Sequence, residues 1–418
     1  MSPTRRDFLK IGGLSFAISG FTKNIFSSPK QQTQSALKNM VSGVEPLNAA
    51  DYENRIIKAQ KLMVEHKIDG LFLSGSPNLN YFTNVQWSRS ERTFGAVLNP
   101  KQRPIWVCPS FESERALERI PEGDVIRTWE EHESPFKLMG DILKDLGSPN
   151  GRMAFGPTIR SFVYYGLKKD APNLEIVNGA IITEGCRGIK TAKEIAYLDL
   201  ANRITKLAFQ EGFKNLQAGM TTRALSGSIS TAHRQLGARG SGGPQFGPNS
   251  AFPHGSSVSR DLHEGDIIMV DGGCSIEGFQ SDVTRTIVFG QSSDKQKKVW
   301  DIVKKAQTEA LKAVRPGVAC EDIDKAARKV VEDAGFGPDY KYFGHRVGHG
   351  IGMQGHEYPY LVRGNKLKLQ PGMTFSDEPG IYIYGEFGVR LEDCFVVTED
   401  GGLILGGMES VSIDSPFS

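Results

Sequence analysis

Ile267-Ile268-Met269-Val270-Asp271-Gly272-Gly273 carries an apolar run onto a carboxylate beside two glycines, and Asp282-Val283-Thr284-Arg285-Thr286-Ile287-Val288 opens the next run with a second carboxylate. Two strands joined through Gly272, Gly273 and Gly278 can fold back so that these acids face each other. A second pair repeats the design: Glu378 in Phe375-Ser376-Asp377-Glu378-Pro379-Gly380 and Glu392 in Val389-Arg390-Leu391-Glu392-Asp393. Four carboxylates converging in a core repel one another and resist ionisation unless cations neutralise them, because an isolated buried charge is very costly. Divalent metals meet that need. Two ions about 3.5–4 Å apart, bridged by shared carboxylates, hold a water between them, lower its pKa and polarise a substrate carbonyl.

The histidines supply the other half of the pattern. Four of the chain's eight, His254, His345, His349 and His356, lie in this region. Gly344-His345-Arg346-Val347-Gly348-His349-Gly350-Ile351-Gly352, followed by His356-Glu357-Tyr358-Pro359, has enough glycine to bring backbone close to a ligand. A lone histidine is usually a satisfied structural group. Three within twelve residues, set between two acidic strand pairs, point to a site. One imidazole and four carboxylates form an oxygen-rich set that suits Mn²⁺, with Co²⁺, Fe²⁺ and Zn²⁺ as alternatives. Asp377 and Asp393 adjoin candidate ligands and, by strand alternation, point to the opposite face.

These segments resemble the pita-bread metallopeptidases, which include Xaa-Pro aminopeptidases, prolidases and methionine aminopeptidases. The match rests on Asp271-Gly272-Gly273 with Asp282 eleven residues later, Gly348-His349-Gly350-Ile351-Gly352, Pro371-Gly372-Met373 ahead of Glu378-Pro379-Gly380, and Gly388-Val389-Arg390-Leu391-Glu392-Asp393. The resemblance implies that Asp271 chelates one metal, His349 and Glu378 the other, and that Asp282 and Glu392 bridge the two. It makes Glu378 the proton acceptor as water attacks the scissile carbonyl. His254 and His356 match histidines that contact the substrate and stabilise the tetrahedral intermediate. His345 and Arg390 match positions of the proline-specific branch. The expected activity is removal of an N-terminal residue before proline, or cleavage of Xaa-Pro dipeptides, by a homodimer. A metal-dependent hydrolase or lyase acting on a small non-peptide, and a non-catalytic peptide-binding module, are the rival readings.

Working outward, 418 residues suit two domains and an N-terminal appendage. The expected fold is α/β (α+β), with a creatinase-like N-terminal domain over 49–183 and a pita-bread catalytic domain over 184–418. In the first, 51–66 has helical apolar spacing, 70–73 reads as a buried strand, 95–98 and 105–108 as paired strands, and 135–146 and 161–169 as helices. Asn78-Leu79-Asn80-Tyr81-Phe82-Thr83 looks like that family's start-of-domain strand. A long amphipathic segment, 192–216, bridges the halves, and helices over 295–314 and 321–334 separate the acidic strand pairs. Gly255 follows His254 where relatives commonly carry an aromatic residue, which opens that part of the pocket. Trp87-Ser88-Arg89-Ser90-Glu91-Arg92 reads as a solvated polar loop.

The chain opens Ser2-Pro3-Thr4-Arg5-Arg6-Asp7-Phe8-Leu9-Lys10 before an apolar run from Ile11 to Phe21. This resembles a twin-arginine export signal and implies the twin-arginine machinery as a partner and a periplasmic destination. Residues 31–48 read as a linker. The segment 1–30 has five basic side chains and one acid, so taking its +4 from the chain's +2 leaves −2. No sustained basic stretch exists to track a phosphate backbone, which argues against nucleic acid and for a peptide or small-molecule substrate. Cys108, Cys186, Cys274, Cys320 and Cys394 are odd in number and never spaced as CxxC, so they are expected as free, buried thiols.

Overall fold

A computed structural model describes residues 37–417. The twin-arginine-like segment 1–30 lies outside the described residues. The first half alternates helices and strands: α1 (Ala49–Glu65), β1 (Gly70–Ser74), α2 (Pro77–Thr83), β2 (Gly95–Leu98), β3 (Ile105–Pro109), α3 (Ser113–Leu117), β4 (Val125–Trp129), α4 (Pro135–Asp145), β5 (Arg152–Phe155), α5 (Ser161–Asp170), β6 (Glu175–Asn178) and α6 (Ala180–Arg187). Its strands form one sheet in the order β4-β3-β2-β1-β5-β6. The unbroken apolar run of β1 follows from burial on both faces. Leu71 and Leu73 pack with Ala59, Met63 and Ile182 of α1 and α6, while Phe72 packs with Met139, Val163 and Leu167 of α4 and α5.

The expected strand at Asn78–Thr83 is a helix, α2. Ser76 caps it by accepting from the Leu79 N–H at 3.4 Å, Pro77 starts it, and Asn84 ends it at φ 60°. The linker expected over 31–48 is anchored from residue 37 onward. Leu37, Met40, Val41, Val44 and Leu47 pack on the core, and the Met40 N–H donates to the Leu236 carbonyl at 2.9 Å. Apolar side chains set among polar neighbours find a buried surface there.

The second half opens with α7 (Ala192–Phe213), whose first turn is locked by a reciprocal Thr191–Glu194 capping box. Then follow α8 (Thr222–Gln235), β7 (Arg239–Phe246), β8 (Ile267–Ile276), β9 (Phe279–Gln280), β10 (Val283–Val288), α9 (Asp294–Ala313), α10 (Cys320–Asp333), β11 (Gly348–Gly350), β12 (Glu357–Leu361), β13 (Thr374–Asp377), β14 (Gly380–Ile383), β15 (Phe387–Arg390), β16 (Asp393–Val397) and β17 (Gly402–Ile404). One antiparallel sheet runs β10-β8-β7 with β9 on β8, another runs β12-β11-β13-β16-β17, and β14 pairs with β15. α9 and α10 pack Trp300 and Ile323 into one apolar layer with Phe375, Val389 and Phe395. An isolated bridge between Thr284 and Glu392 joins the two large sheets, and the acids cluster at that seam.

Candidate active site

Each candidate ligand sits at a strand or its end. Asp271 lies in β8 directly opposite Thr284 of β10, so both side chains emerge on one face. Asp282 precedes β10, Glu378 follows β13, Glu392 joins β15 to β16, and His349 is central in β11. The folding brings all five together. Ligand atoms of Asp271, Asp282 and Glu392 come within 4.8 Å of one another, as do those of His349, Glu378 and Glu392. Glu392 belongs to both groups. Asp282 also approaches His349, Oδ2 to Nε2 at 3.8 Å, and the His349 Nε2 to Glu378 Oε1 distance is 3.2 Å. The Nδ1–H of His349 donates to the Gly350 carbonyl at 3.1 Å, which turns Nε2 toward the carboxylates.

The electrostatics call for cations. The Asp282 carboxyl is pushed well above its ordinary range, first by burial and then by the charges of Asp271 and Glu378. Glu392 is raised for the same reasons, first by burial and then by the charge of Asp282. Burial alone would raise Glu378, yet its bond to His349, the His345 imidazole 4.0 Å away and, behind these, Arg390 together outweigh burial and hold it at about 2. Arg390 is the guanidinium that enters the cluster, donating to Asp271 Oδ2 at 2.7 Å. One cation cannot balance four carboxylates. The oxygen-rich donor set therefore fits divalent metal ions on its own chemistry.

A second layer holds these groups. Arg390 donates from Nε to Thr284 Oγ1 at 3.0 Å and from one terminal nitrogen to the Pro253 carbonyl and the Tyr382 hydroxyl, at 2.9 and 3.0 Å. Thr284 Oγ1 in turn donates to Glu392 at 2.7 Å. Burial pushes the Tyr382 phenol up to about 12, so it stays protonated and donates to His345 Nε2 at 2.8 Å. His345, pushed down by burial, is neutral and uses Nδ1–H on the Arg346 carbonyl at 2.8 Å. Ser376 donates to Glu378 at 3.2 Å and accepts from the His349 N–H at 3.0 Å. Sequence reasoning missed the part played by Tyr382, Thr284 and Ser376. Position is the signal for two of them, since Thr284 lies opposite Asp271 and Ser376 two residues before Glu378, while Tyr382, paired with Gly388, has none.

His356 stacks on His349 with ring centroids 3.8 Å apart, and it shares a second 4.8 Å group with His349 and Asp282. His254 is exposed and is tied to the site through its neighbour, the Pro253 carbonyl held by Arg390. Gly255 does not open the pocket as expected. Its φ is +83°, and a Cβ there would meet the Gln245 amide at 2.4 Å, so Gln245 already fills that space. Asp377 and Asp393 lie outside the cluster, paired across β13 and β16. Asp393 is gripped by Arg285 at 2.8 Å and Lys206 at 2.7 Å, which hold its carboxyl at about 2 against burial. The same two cations bind the C-terminal stretch, Arg285 at the Met408 and Pro416 carbonyls and Lys206 at those of Leu405 and Gly407. All five cysteines are buried and free. Ser88 to Glu91 are exposed, with Trp87 stacked on Phe94 at 3.8 Å.

Residues 196–399 match the profile of metallopeptidase family M24, and residues 55–189 match the creatinase/prolidase N-terminal domain. The chain is 34% identical over 350 residues to the Xaa-Pro dipeptidase of Lactobacillus helveticus, covering 82% of this chain and 94% of that one. The chain belongs to metallopeptidase family M24. Solved structures agree with that membership. A dipeptidase from Mycobacterium ulcerans superposes with a TM-score of 0.81 at 32% identity, covering 86% of this chain and 97% of the other. A prolidase from Thermococcus sibiricus gives 0.78 at 30% identity, with the same coverage of each chain. The two-domain creatinase and pita-bread architecture expected from sequence is therefore the fold, and the chain is a metallopeptidase of the prolidase type.

Proposed function

We propose that the protein is an Xaa-Pro dipeptidase that works with two divalent ions, Mn²⁺ by the hardness of the donor set. The observation that carries this reading is the five-residue cluster, in which Glu392 belongs to both ligand groups and Asp282 Oδ2 also lies 3.8 Å from His349 Nε2. Asp271 with Asp282 and Glu392 would hold one ion, and His349 with Glu378 and Glu392 the other. Bound there, the metals supply Lewis acidity toward the scissile carbonyl and an activated water. Glu378, kept ionised by His349 and Arg390, takes up the proton that water releases. His356 and His254 face the substrate and donate to the oxyanion as it forms. Tyr382 fixes the ring of His345, and Arg390 fixes Asp271.

The dipeptide reading draws on similarity to proteins described as Xaa-Pro dipeptidases, at 34 and 33% identity. The same proposal includes a homodimer exported through the twin-arginine machinery to the periplasm. Among the described residues, no helix is long and apolar enough to cross a membrane. The test measures release of the N-terminal residue from Ala-Pro, Ala-Pro-Ala and proline-free controls, using metal-stripped protein with and without Mn²⁺. Metal-dependent cleavage confined to Ala-Pro is expected. Cleavage of the tripeptide alone would make it an aminopeptidase, and inertness toward every peptide despite bound metal would move the substrate to a small non-peptide.

A further inference from the structure

His356 is poorly held by its own side chain. Its ring packs on His349, and among the described residues its nitrogens have no hydrogen-bond partner. The backbone must therefore aim it, and that backbone is organised by its neighbour. Glu357 is 7% exposed and turns its carboxylate back under the 351–356 loop. It accepts the Gln354 N–H at 3.3 Å, and it sits so close beneath Gly352 that a Cβ there would meet Oε1 at 2.4 Å. Two cations, both buried, reach the carboxylate from the end of α6 and from the segment that links it to α7. Lys190 donates to Oε1 at 2.8 Å and Arg187, the last residue of α6, donates to Oε2. Arg187 also donates to Asn78 of α2 at 2.7 Å.

We propose that Arg187, Lys190 and Glu357 form a positioning unit for His356, through which α2 and α6 help build the catalytic face. Stability alone gives a weak reason for such a group. A buried ion cluster can often be replaced by apolar side chains without loss, because desolvation of the charges offsets their attraction. Position is a stronger reason. An imidazole displaced by about 1 Å can cost on the order of 100-fold in rate.

The proposal rests on the Xaa-Pro reading for its rate assay, so a second readout is independent of it. In Mn²⁺-loaded full-length protein with Ala-Pro, Glu357→Gln is expected to lower kcat by roughly 10–100-fold, with metal content near wild type. Added to His356→Ala, the same change is expected to cost almost nothing further. Crystal structures of both proteins give the independent check, since the His349–His356 centroid separation of 3.8 Å should widen in Glu357→Gln. If Glu357→Gln slows the His356→Ala background as much as it slows wild type, or leaves the ring in place, the proposal is wrong. A variant too unstable to study is replaced by Arg187→Met/Lys190→Met/Glu357→Met, which removes all three charges together. Wild-type kcat in that triple variant would also overturn the proposal. An absence of Xaa-Pro cleavage by the wild type would count against the substrate reading alone, leaving the ring separation to decide.

Discussion

Tyr382→Phe removes one oxygen from a residue that touches none of the five metal-ligand candidates, and its consequences can be worked through bond by bond. The hydroxyl donates to His345 Nε2 at 2.8 Å and accepts from Arg390 at 3.0 Å. Arg390 keeps Thr284, the Pro253 carbonyl and Asp271, at 3.0, 2.9 and 2.7 Å, so it stays in place. His345 keeps only its Nδ1 bond to Arg346 and can swing about it. Two buried polar groups lose a partner, a penalty of about 1–3 kcal/mol in stability. The freed histidine is expected to reduce kcat/KM for Ala-Pro by roughly 10–100-fold, which is ~1.4–2.7 kcal/mol of transition-state free energy. Metal content, read by elemental analysis of dialysed protein, is expected to match wild type. Loss of metal in step with activity would refute the separation of the Tyr382–His345 layer from the ligands. Unchanged kcat/KM alongside a lowered Tm would reduce that layer to a structural role.

Further outcomes follow from charge. Asp282→Ala or Glu392→Ala should lose metal and activity together, because Glu392 belongs to both ligand groups and Asp282 stands between Asp271 and His349; retention of two metals in either would end the bridging assignment. His356→Ala should lose activity while metal content stays near wild type. Asp393 contributes stability that is complete above its ordinary value of 3.8 and vanishes as pH falls through about 2, since Arg285 and Lys206 depress its folded-state pKa. Asp393→Asn should therefore be less stable at pH 7, and its Tm should fall less steeply than wild type between those pH values. Asp377 is the opposite case. Both its oxygens are buried without hydrogen bonds, and burial followed by the charge of Asp393 raises its pKa. Asp377→Val should keep metal and raise thermal stability by about 1 kcal/mol, and a lower Tm would reveal a partner for that carboxyl.

The metal cluster was legible in sequence because its chemistry is carried by residue types that are rare inside a protein. Asp271, Asp282, Glu378 and Glu392 each interrupt or abut an apolar run, and such acids require a reason. Asp393 and Asp377 were separated from the cluster by the two-residue alternation of a strand, which is rigid geometry. The layer beneath the ligands was opaque. Tyr382 and Thr284 are ordinary strand residues by composition, and only the packing of β14 and β15 against β10 shows what their hydroxyls meet. Asn78–Thr83 failed for a local reason: the family resemblance suggested a strand, while Ser76 and Pro77 just upstream encode a helix start. Gly255 failed for a tertiary one. Its missing side chain suggested space, and Gln245, ten residues away, occupies it.

The grip of Arg285 and Lys206 on the stretch from Leu405 to Pro416 has a practical side for anyone shortening or tagging the chain. Those carbonyls are the other half of the coordination of two cations that stand directly behind Glu392 through Asp393. Clipping the polypeptide ahead of Leu405 would take those carbonyls from both cations, leave Asp393 as their shared partner and loosen the wall on which the ligand strand leans.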